Sequence, residues 1–356
     1  MISVLIVDDS RTTLKYLCNL VEAEPELRVI GTAVNGLDAV EKVKLLQPQV
    51  VIMDIDMPEL DGISATRKIM EENPVPIVIC SANLDHNLTE KSYRAIQAGA
   101  LAAVSKPRGA GTPGAKEIIE RLLHKVKVMS GVKVVRRRPL AGPSLSPQPR
   151  ETSFDKDILG KLRNIPPALV AIGASTGGPI ALKTILAKVK KNFPLPIIIV
   201  QHISPGFLEG MVSWLQGEVA LVLAIAKDSE KPLPGHVYFA PDDFHLELSQ
   251  TGLMRLAATP REYNIKPAVG PLFRSLAEPE APATLAVLLT GMGRDGALEL
   301  LAMRKRGQFT IAQDEESSTV YGMPGEAARL GAADCSMNPE AIGDLLNRLP
   351  FSLKDL

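Results

Sequence analysis

ALVAIGASTGGP, residues 168–179, decides the fold of the second half of this chain. Four apolar residues, 169–172, run directly into a glycine-rich segment, and this order is typical of a buried strand followed by a tight turn. Pro179 then opens a segment with helical character, where proline is favourable because the N–H that it lacks would have no partner in the first turn. The sequence therefore predicts that Ser175 lies at a turn between a strand and a helix.

Such a turn is a suitable position for a nucleophile. Backbone N–H groups at the start of a helix are unpaired, and they can stabilise the oxyanion that forms when a carbonyl is attacked. Residues 173–177 also match the G-x-S-x-G nucleophile pattern. The alternative is a glycine turn in which Ser175 caps the helix, or a loop that binds a phosphate. The pattern alone favours this alternative, so the interpretation depends on residues elsewhere in the chain.

The second half of the chain contains further strands that end in polar residues. Residues 196–200 predict a buried strand that ends at Gln201 and His202. The segment from Pro282 predicts another buried strand, then a glycine-rich turn that contains Asp295, then a helix. Strand pieces between residues 231 and 258 predict an antiparallel arrangement. We therefore expect a mainly parallel α/β domain with an antiparallel hairpin.

A base for Ser175 must come from a small set of histidines. His202 alone directly follows a buried strand, on the same predicted sheet edge as Ser175, and an imidazole there can take the serine proton at neutral pH. Asp295 can orient that imidazole, and the backbone N–H groups of residues 291–293 can donate to an oxyanion. The alternatives are a hydrogen-bonded core histidine at 202 and a helix N-cap at 295. The remaining histidines are predicted to lie outside the site: His86, His124, His236 and His245.

The first half of the chain alternates strands and helices, which predicts a doubly wound parallel sheet. Asp8, Asp9 and Asp54 follow two of its strands and should converge at one edge. Three neighbouring carboxylates repel one another unless a cation holds them, and Mg²⁺ prefers such oxygen ligands. Ser81 and Lys106 end two further strands and supply a hydroxyl and an ammonium group. This set of groups suits phosphoryl transfer onto an aspartate. The alternatives are strand-end acids that only cap helices and a Lys106 that is only a surface charge.

Residues 1–125 resemble the receiver domains of two-component response regulators. The resemblance rests on DD after the first strand, DIDMPELDG from Asp54, Ser-Ala from Ser81 and Lys-Pro from Lys106. It implies a flavodoxin-like fold in which Asp54 accepts phosphate from a histidine kinase. It also implies that Mg²⁺ binds Asp8, Asp9, Asp54 and the backbone carbonyl of Asp56, and that Ser81 and Lys106 sense the phosphoryl group. The family usually has Phe or Tyr three residues before the lysine, where this chain has Ala103.

The second half resembles the catalytic domain of the chemotaxis protein-glutamate methylesterases. The motifs are GASTGGP, QHI-x-x-GF, YFAPDDFHL, LFRSLA, LLTGMGRDGA and VYGMP. The order Ser…His…Asp also differs from that of lipase-type hydrolases. The resemblance implies a triad of Ser175, His202 and Asp295, with oxyanion donors near Thr176 and the backbone N–H of Met292. One motif departs from the family, since the usual Pro-Ser-Val-Asp is here Pro267 to Gly270.

The two resemblances together imply a phosphorylation-activated enzyme of sensory adaptation. It would hydrolyse γ-glutamyl methyl esters on chemoreceptors, releasing methanol, and would deamidate receptor glutamines by the same acyl chemistry. Mg²⁺ would serve phosphorylation, and ester hydrolysis would need no cofactor. The partners would be methyl-accepting chemoreceptors and a chemotaxis histidine kinase. The alternatives are a phosphorylation-dependent adaptor, which would have a broken triad, and a transcriptional regulator, which would need a basic DNA-binding module.

Composition limits the remaining possibilities. The 356 residues carry 40 basic and 40 acidic side chains, and this balance argues against bulk attraction to nucleic acid or membranes. No signal peptide or membrane span is predicted, and the three cysteines show no disulfide or zinc spacing, so we expect a cytoplasmic monomer. We predict a receiver at 1–128, a Pro-rich basic linker at 129–165 with Arg136–Arg138, and a catalytic domain at 166–352.

Overall fold

The computed structural model divides into two compact units, Met1–Leu145 and Ser146–Leu356. It describes residues 1–81, 86–107, 109, 114–132, 134 and 153–349. Most of the predicted linker, including Arg136–Arg138, lies outside the described residues. A helix, Ser153–Asn164, lies in the last part of the predicted linker and belongs to the second unit. In the described part of the chain, no helix is long and apolar enough to cross a membrane.

The first unit is built on a parallel sheet with the strand order β2-β1-β3-β4-β5, as expected for a doubly wound fold. Its strands are β1 (Ile2–Val7), β2 (Leu27–Ala33), β3 (Val50–Met53), β4 (Ile77–Ser81) and β5 (Ala102–Ser105). Its helices are α1 (Arg11–Glu22), α2 (Gly36–Leu46), α3 (Gly62–Glu72), α4 (His86–Ala98) and α5 (Ala115–Ser130).

Local sequence explains these boundaries. Every residue of β3 and β4 is buried, as expected for strands with helices on both faces of a parallel sheet. Three of the helices begin after a short polar side chain, since Ser10, Asn35 and Asp61 each accept a hydrogen bond from the backbone N–H three residues later. The carboxyl ends of β1 and β3 therefore present Asp8 and Asp54 at the same sheet edge.

The second unit is built on a seven-stranded parallel sheet with the order β14-β13-β12-β6-β7-β9-β8. The strands of this unit are β6 (Leu169–Ala174), β7 (Ile197–Gln201), β8 (Val222–Ile225), β9 (His236–Phe239), β10 (His245–Leu248), β11 (Met254–Ala257), β12 (Thr284–Leu288), β13 (Phe309–Gln313) and β14 (Cys335–Met337). Its helices are α6 (Ser153–Asn164), α7 (Gly178–Lys188), α8 (Leu208–Gln216), α9 (Val269–Leu276), α10 (Ala297–Lys305), α11 (Met323–Arg329) and α12 (Pro339–Leu346).

The predicted antiparallel arrangement of residues 231–258 is correct only in part. The predicted hairpin is present as β10 and β11, which pair antiparallel in a sheet of their own. The prediction is wrong for β9, because this strand joins the main sheet between β7 and β8 and runs parallel to both. Its partner β8 is a four-residue strand that the sequence did not reveal. Short strands at a sheet edge carry little periodic signal, so their pairing depends on tertiary contacts.

Candidate active site and phosphorylation site

Ser175 and His202 lie side by side at the carboxyl edge of the second sheet. Strands β6 and β7 pair in parallel with Ala174 opposite Gln201, so each candidate residue directly follows a strand end at the same height. The backbone N–H of His202 donates to the Ala174 carbonyl at 2.9 Å, which continues the strand ladder into the site. Ser175 is 7% exposed. The predicted nucleophile and base therefore occupy neighbouring positions.

The His202 imidazole contacts the Asp295 carboxylate directly. His202 Nε2 lies 2.8 Å from Asp295 Oδ2, and both side chains are nearly buried. An ionised carboxylate can only accept, so Nε2 is the protonated ring nitrogen and donates a hydrogen bond to Asp295 in this contact. The other ring nitrogen, Nδ1, is then available as an acceptor. This is the arrangement that a base oriented by a carboxylate requires.

The start of helix α9 holds Asp295 in place. The backbone N–H of Val269 donates to Oδ2 at 2.6 Å, and that of Gly270 donates to Oδ1 at 3.0 Å. Burial would raise the pKa of Asp295, but hydrogen bonding and attraction from His202, together with these two backbone donors, lower that pKa below its ordinary value. The interpretation of Asp295 as the N-cap of its own helix α10 is wrong, because that cap is Gly296.

The two predicted oxyanion donors lie on segments that approach each other closely. Within the described residues, no acceptor takes the backbone N–H of Thr176 or of Met292. A Cβ atom added to Gly291 would lie only 2.6 Å from Ser175 Cβ, so a side chain at 291 would push the two segments apart. The Ser175 N–H also donates to the Thr290 carbonyl at 3.0 Å, and this hydrogen bond joins the two segments.

Three supporting residues were not identified as functional from the sequence. Gln201 and Thr290 are buried and bond to the backbone around Ser175. His245 is fully buried, as a structural residue should be, and its Nδ1 accepts the Ala268 N–H just before helix α9. All three lie at or near the end or the start of a strand, but the direction of a polar side chain at such a position depends on its neighbours in the fold.

The first unit gathers its predicted acidic residues at one edge. Asp8, Asp9 and Asp54 each offer a carboxylate oxygen, and these oxygens lie within 4.8 Å of one another. Asp8 and Asp54 are buried, whereas Asp9 is exposed. Lys106 Nζ lies 2.6 Å from Asp8 Oδ2 and 2.7 Å from Asp54 Oδ2. The buried Asp8 Oδ2 is therefore paired with an ammonium group, and a cluster of carboxylate oxygens of this kind suits a hard divalent cation.

Burial and charge have opposite effects on the pKa values of the Asp54–Lys106 pair. Burial raises the pKa of Asp54, and it prevails over the hydrogen bond and attraction from Lys106 and the hydrogen bond from the Ile55 N–H; Asp8 adds to the rise. For Lys106, burial alone would lower the pKa, but the hydrogen bonds and attraction of Asp54 and Asp8 raise it. Lys106 is therefore a firmly charged ammonium group beside a carboxylate that is costly to ionise.

Ser81 and Asp56 complete the predicted receiver residues. Ser81 is buried at the end of β4, and its carbonyl accepts the Lys106 backbone N–H at 2.7 Å, so it borders the acidic cluster. The Asp56 side chain lies elsewhere, because its carboxylate pairs with Lys91 Nζ at 2.6 Å. The expected contribution of Asp56 was its backbone carbonyl, which this ion pair leaves unchanged. Ala103 lies on β5.

Comparisons with known proteins find matches for both halves of the chain. Residues 170–346 match the family described as CheB methylesterase, and residues 4–112 match the response regulator receiver domain. The chain is 45% identical to protein-glutamate methylesterase/protein-glutamine glutaminase 4 of Geobacter metallireducens, over 98% of this chain and 99% of the relative. It is 43% identical to the protein-glutamate methylesterase/protein-glutamine glutaminase of Nitrosospira multiformis, over 98% of this chain and 97% of the relative.

A solved structure matches the second unit alone. The CheB methylesterase catalytic domain of Thermotoga maritima is 38% identical and is covered completely by 52% of this chain, with a TM-score of 0.50. These matches define a two-domain response regulator with a hydrolase as its output domain. The chain belongs to the family of chemotaxis protein-glutamate methylesterases, which confirms the resemblance found in the sequence. Receiver domains work with a phosphoryl group and a divalent metal in general, and the acidic cluster is compatible with both.

Proposed function

We propose that this protein hydrolyses the γ-methyl esters of glutamate residues on chemoreceptors. The observation that carries the proposal is the 2.8 Å contact between His202 Nε2 and Asp295 Oδ2, next to Ser175 at one sheet edge. A histidine oriented by a carboxylate beside a serine is the arrangement of a nucleophilic hydrolase. The activity for which the relatives are named supplies the substrate class.

The reaction proceeds through an acyl-enzyme. Ser175 Oγ attacks the ester carbonyl while Nδ1 of His202 takes the hydroxyl proton, and Asp295 stabilises the resulting imidazolium through Nε2. The Thr176 and Met292 N–H groups donate to the oxyanion of the tetrahedral intermediate. The C–O bond to the methoxy group then breaks, and His202 returns the proton so that methanol leaves.

Water completes the cycle by the reverse use of the same groups. His202 removes a proton from water, the hydroxide attacks the acyl carbonyl, and the bond to Ser175 Oγ breaks as that oxygen regains its proton. The products are a glutamate side chain and free enzyme. A glutamine side chain follows the same path with ammonia as the leaving group, so we extend the proposal to glutaminase activity, which the names of the relatives also carry.

Phosphorylation of Asp54 is the proposed control. Asp8, Asp9 and Asp54, with the carbonyl of Asp56, would hold Mg²⁺, which neutralises the charge that develops on a transferred phosphoryl group. A histidine kinase is the donor, and Lys106 and Ser81 bind the phosphoryl oxygens. The ion pair of Lys106 with Asp54 supports this role, because the ammonium group already contacts the accepting carboxylate. Phospho-Asp54 shifts the receiver toward an arrangement that opens the catalytic edge.

The organisation of the chain belongs to the same proposal. We assign the receiver to 1–128, the linker to 129–165 and the catalytic domain to 166–352, and the family matches at 4–112 and 170–346 support this division. The protein acts as a cytoplasmic monomer. The three cysteines are free thiols, which supports a reducing compartment.

Methanol release from methylated receptor membranes tests the esterase. Wild type should release methanol, and Ser175→Ala should release none above background. Ammonia release from receptors with glutamine at the same sites tests the glutaminase and should also require Ser175. Equal release of methanol by wild type and Ser175→Ala would refute the assignment of Ser175 as the nucleophile.

A further inference from the structure

The Thr176 N–H owes its direction to the peptide unit that contains it. A trans peptide unit is rigid and planar, so the carbonyl of Ser175 and the N–H of Thr176 point in opposite directions. Two donors hold the carbonyl end of this peptide unit. The Gly178 backbone N–H donates to Ser175 O at 2.8 Å, and Gln201 Nε2 donates to the same oxygen at 2.8 Å.

Gln201 also holds the residue that carries the base. The second proton of its Nε2 group goes to the His202 carbonyl at 2.9 Å. One amide nitrogen therefore bonds the carbonyls of both Ser175 and His202. The side chain is 3% exposed. A Cβ added to Gly178 would lie only 2.1 Å from Gln201 Oε1, so this amide packs directly against the start of helix α7.

The second oxyanion donor is held without any side chain. Met292 N–H belongs to the peptide unit of Gly291, whose carbonyl accepts the backbone N–H groups of Gly322 at 3.1 Å and Met323 at 2.8 Å. Each of the two peptide units that carry an oxyanion donor thus receives two hydrogen bonds at its carbonyl oxygen. Only the Ser175–Thr176 peptide unit receives one of these hydrogen bonds from a side chain, so a substitution of that side chain can loosen this unit selectively.

We propose that Gln201 is a positioning residue for catalysis: its amide fixes the Ser175–Thr176 peptide so that the Thr176 N–H meets the developing oxyanion. This inference rests on the function proposed above. Donation to the Ser175 carbonyl also polarises that peptide and strengthens its N–H as a donor. The benefit is largest in the transition state, where the oxygen carries a negative charge, so Gln201 acts on kcat more than on KM.

Substitution of Gln201 in the full-length protein tests the proposal, with methanol release from methylated receptor membranes as the assay. Gln201→Met keeps the approximate volume and removes both donated hydrogen bonds. We expect kcat to fall by roughly 10- to 100-fold, below the loss of about 10²–10³ for complete removal of a donor, because the N–H remains but is misdirected. KM should stay within about twofold.

Gln201→Glu gives the graded comparison. A carboxyl group buried here favours its protonated form and can then donate one hydrogen bond instead of two. Its kcat should lie between those of wild type and Gln201→Met. Gln308→Met is the matched control, because Gln308 bonds backbone groups of Thr284 and Pro282 at the opposite edge of the same sheet. It should lower stability and leave kcat unchanged.

Inhibitor binding separates positioning from general damage. The affinity of a boronic acid, which becomes a tetrahedral anion on Ser175, should fall in Gln201→Met by about the same factor as kcat. Unchanged kcat in Gln201→Met, an equal loss of kcat in Gln308→Met, or a change in KM alone would overturn the proposal. If Gln201→Met does not fold, a kcat equal to wild type in Gln201→Glu would overturn it. Wild type without Ser175-dependent release would instead refute the proposed function.

Discussion

At the scale of single residues, the site depends on one buried carboxyl group that the protein keeps ionised. Asp295 is 3% exposed and accepts hydrogen bonds from His202 and from the Val269 and Gly270 backbone. Those donors lower its pKa in spite of burial, so it is an anion throughout the neutral range. An anion at this position orients the His202 ring and stabilises it once it is protonated.

Replacement of this carboxylate by an amide should therefore damage catalysis far more than folding. In Asp295→Asn, the side-chain NH₂ group can face His202 and favour the wrong tautomer, so kcat should fall by roughly 10²–10⁴. Asp344→Asn is the control, since it removes an exposed ion pair with Lys188 elsewhere in the same unit and should change neither kcat nor KM. Wild-type kcat in Asp295→Asn, measured by methanol release, would contradict the assigned role.

Asp54 presents the opposite case, because burial raises its pKa. Its ionised form costs folding free energy, and this cost is complete above the folded pKa and disappears as the pH falls toward the ordinary value of 3.8. Asp54→Asn should therefore be more stable than wild type at pH 7. The difference should vanish near pH 3.

Urea unfolding of the full chain without Mg²⁺ measures this difference, with hydrogen exchange in β1–β5 to assign the transition. Asp61→Asn is a suitable control, because Asp61 is an exposed N-cap and asparagine caps equally well. An Asp54→Asn protein that is less stable than wild type at pH 7 would show that attraction to Lys106 outweighs burial.

At the scale of elements, the site forms where loops from several strands meet with almost no free space. Gly322 precedes helix α11, and a Cβ there would lie 2.7 Å from Gly291 O and 2.9 Å from Gly293 N. Gly322→Ala should displace the loop that carries the Met292 N–H. We expect kcat to fall by roughly 10- to 100-fold with little change in substrate binding.

Gly343→Ala provides the comparison for steric damage. A Cβ at Gly343 would lie 2.9 Å from Ile185 O, at the contact of α12 with α7 and away from the proposed oxyanion donors. Both variants should lose stability, as measured by thermal unfolding, but only Gly322→Ala should lose kcat. Similar kcat losses in the two variants would mean that the Met292 loop has no special role.

The sequence was informative about elements wherever a buried strand ended in a polar residue. Parallel strands end at one edge, so Ser175 with His202, and Asp8 with Asp54, could be predicted as neighbours before any coordinates. The support of Asp295 could not, because it comes from backbone N–H groups at the start of α9, which no side chain in the sequence identifies. The same holds for Gln201, whose orientation depends on the absence of a side chain at 178.

At the scale of the whole molecule, the chain joins two independent chemistries, each at the carboxyl edge of its own parallel sheet. The receiver unit contains an acidic cluster with Lys106, and receiver domains in general work with a phosphoryl group and a divalent metal. The catalytic unit contains Ser175, His202 and Asp295, and its proposed hydrolysis uses these side chains, backbone N–H donors and water. Control of one by the other requires that phosphorylation of Asp54 change access to Ser175 or its geometry.

Methanol release from methylated receptor membranes, with and without a small-molecule phosphodonor and Mg²⁺, tests this coupling in the full chain. The comparison needs wild type and Asp54→Ala, with Ser175→Ala as the background. Our account predicts that the phosphodonor raises the rate of wild type and leaves that of Asp54→Ala unchanged, while Ser175→Ala releases no methanol. Equal rates for phosphodonor-treated wild type and Asp54→Ala would contradict control through Asp54, and release by Ser175→Ala would contradict the serine mechanism itself.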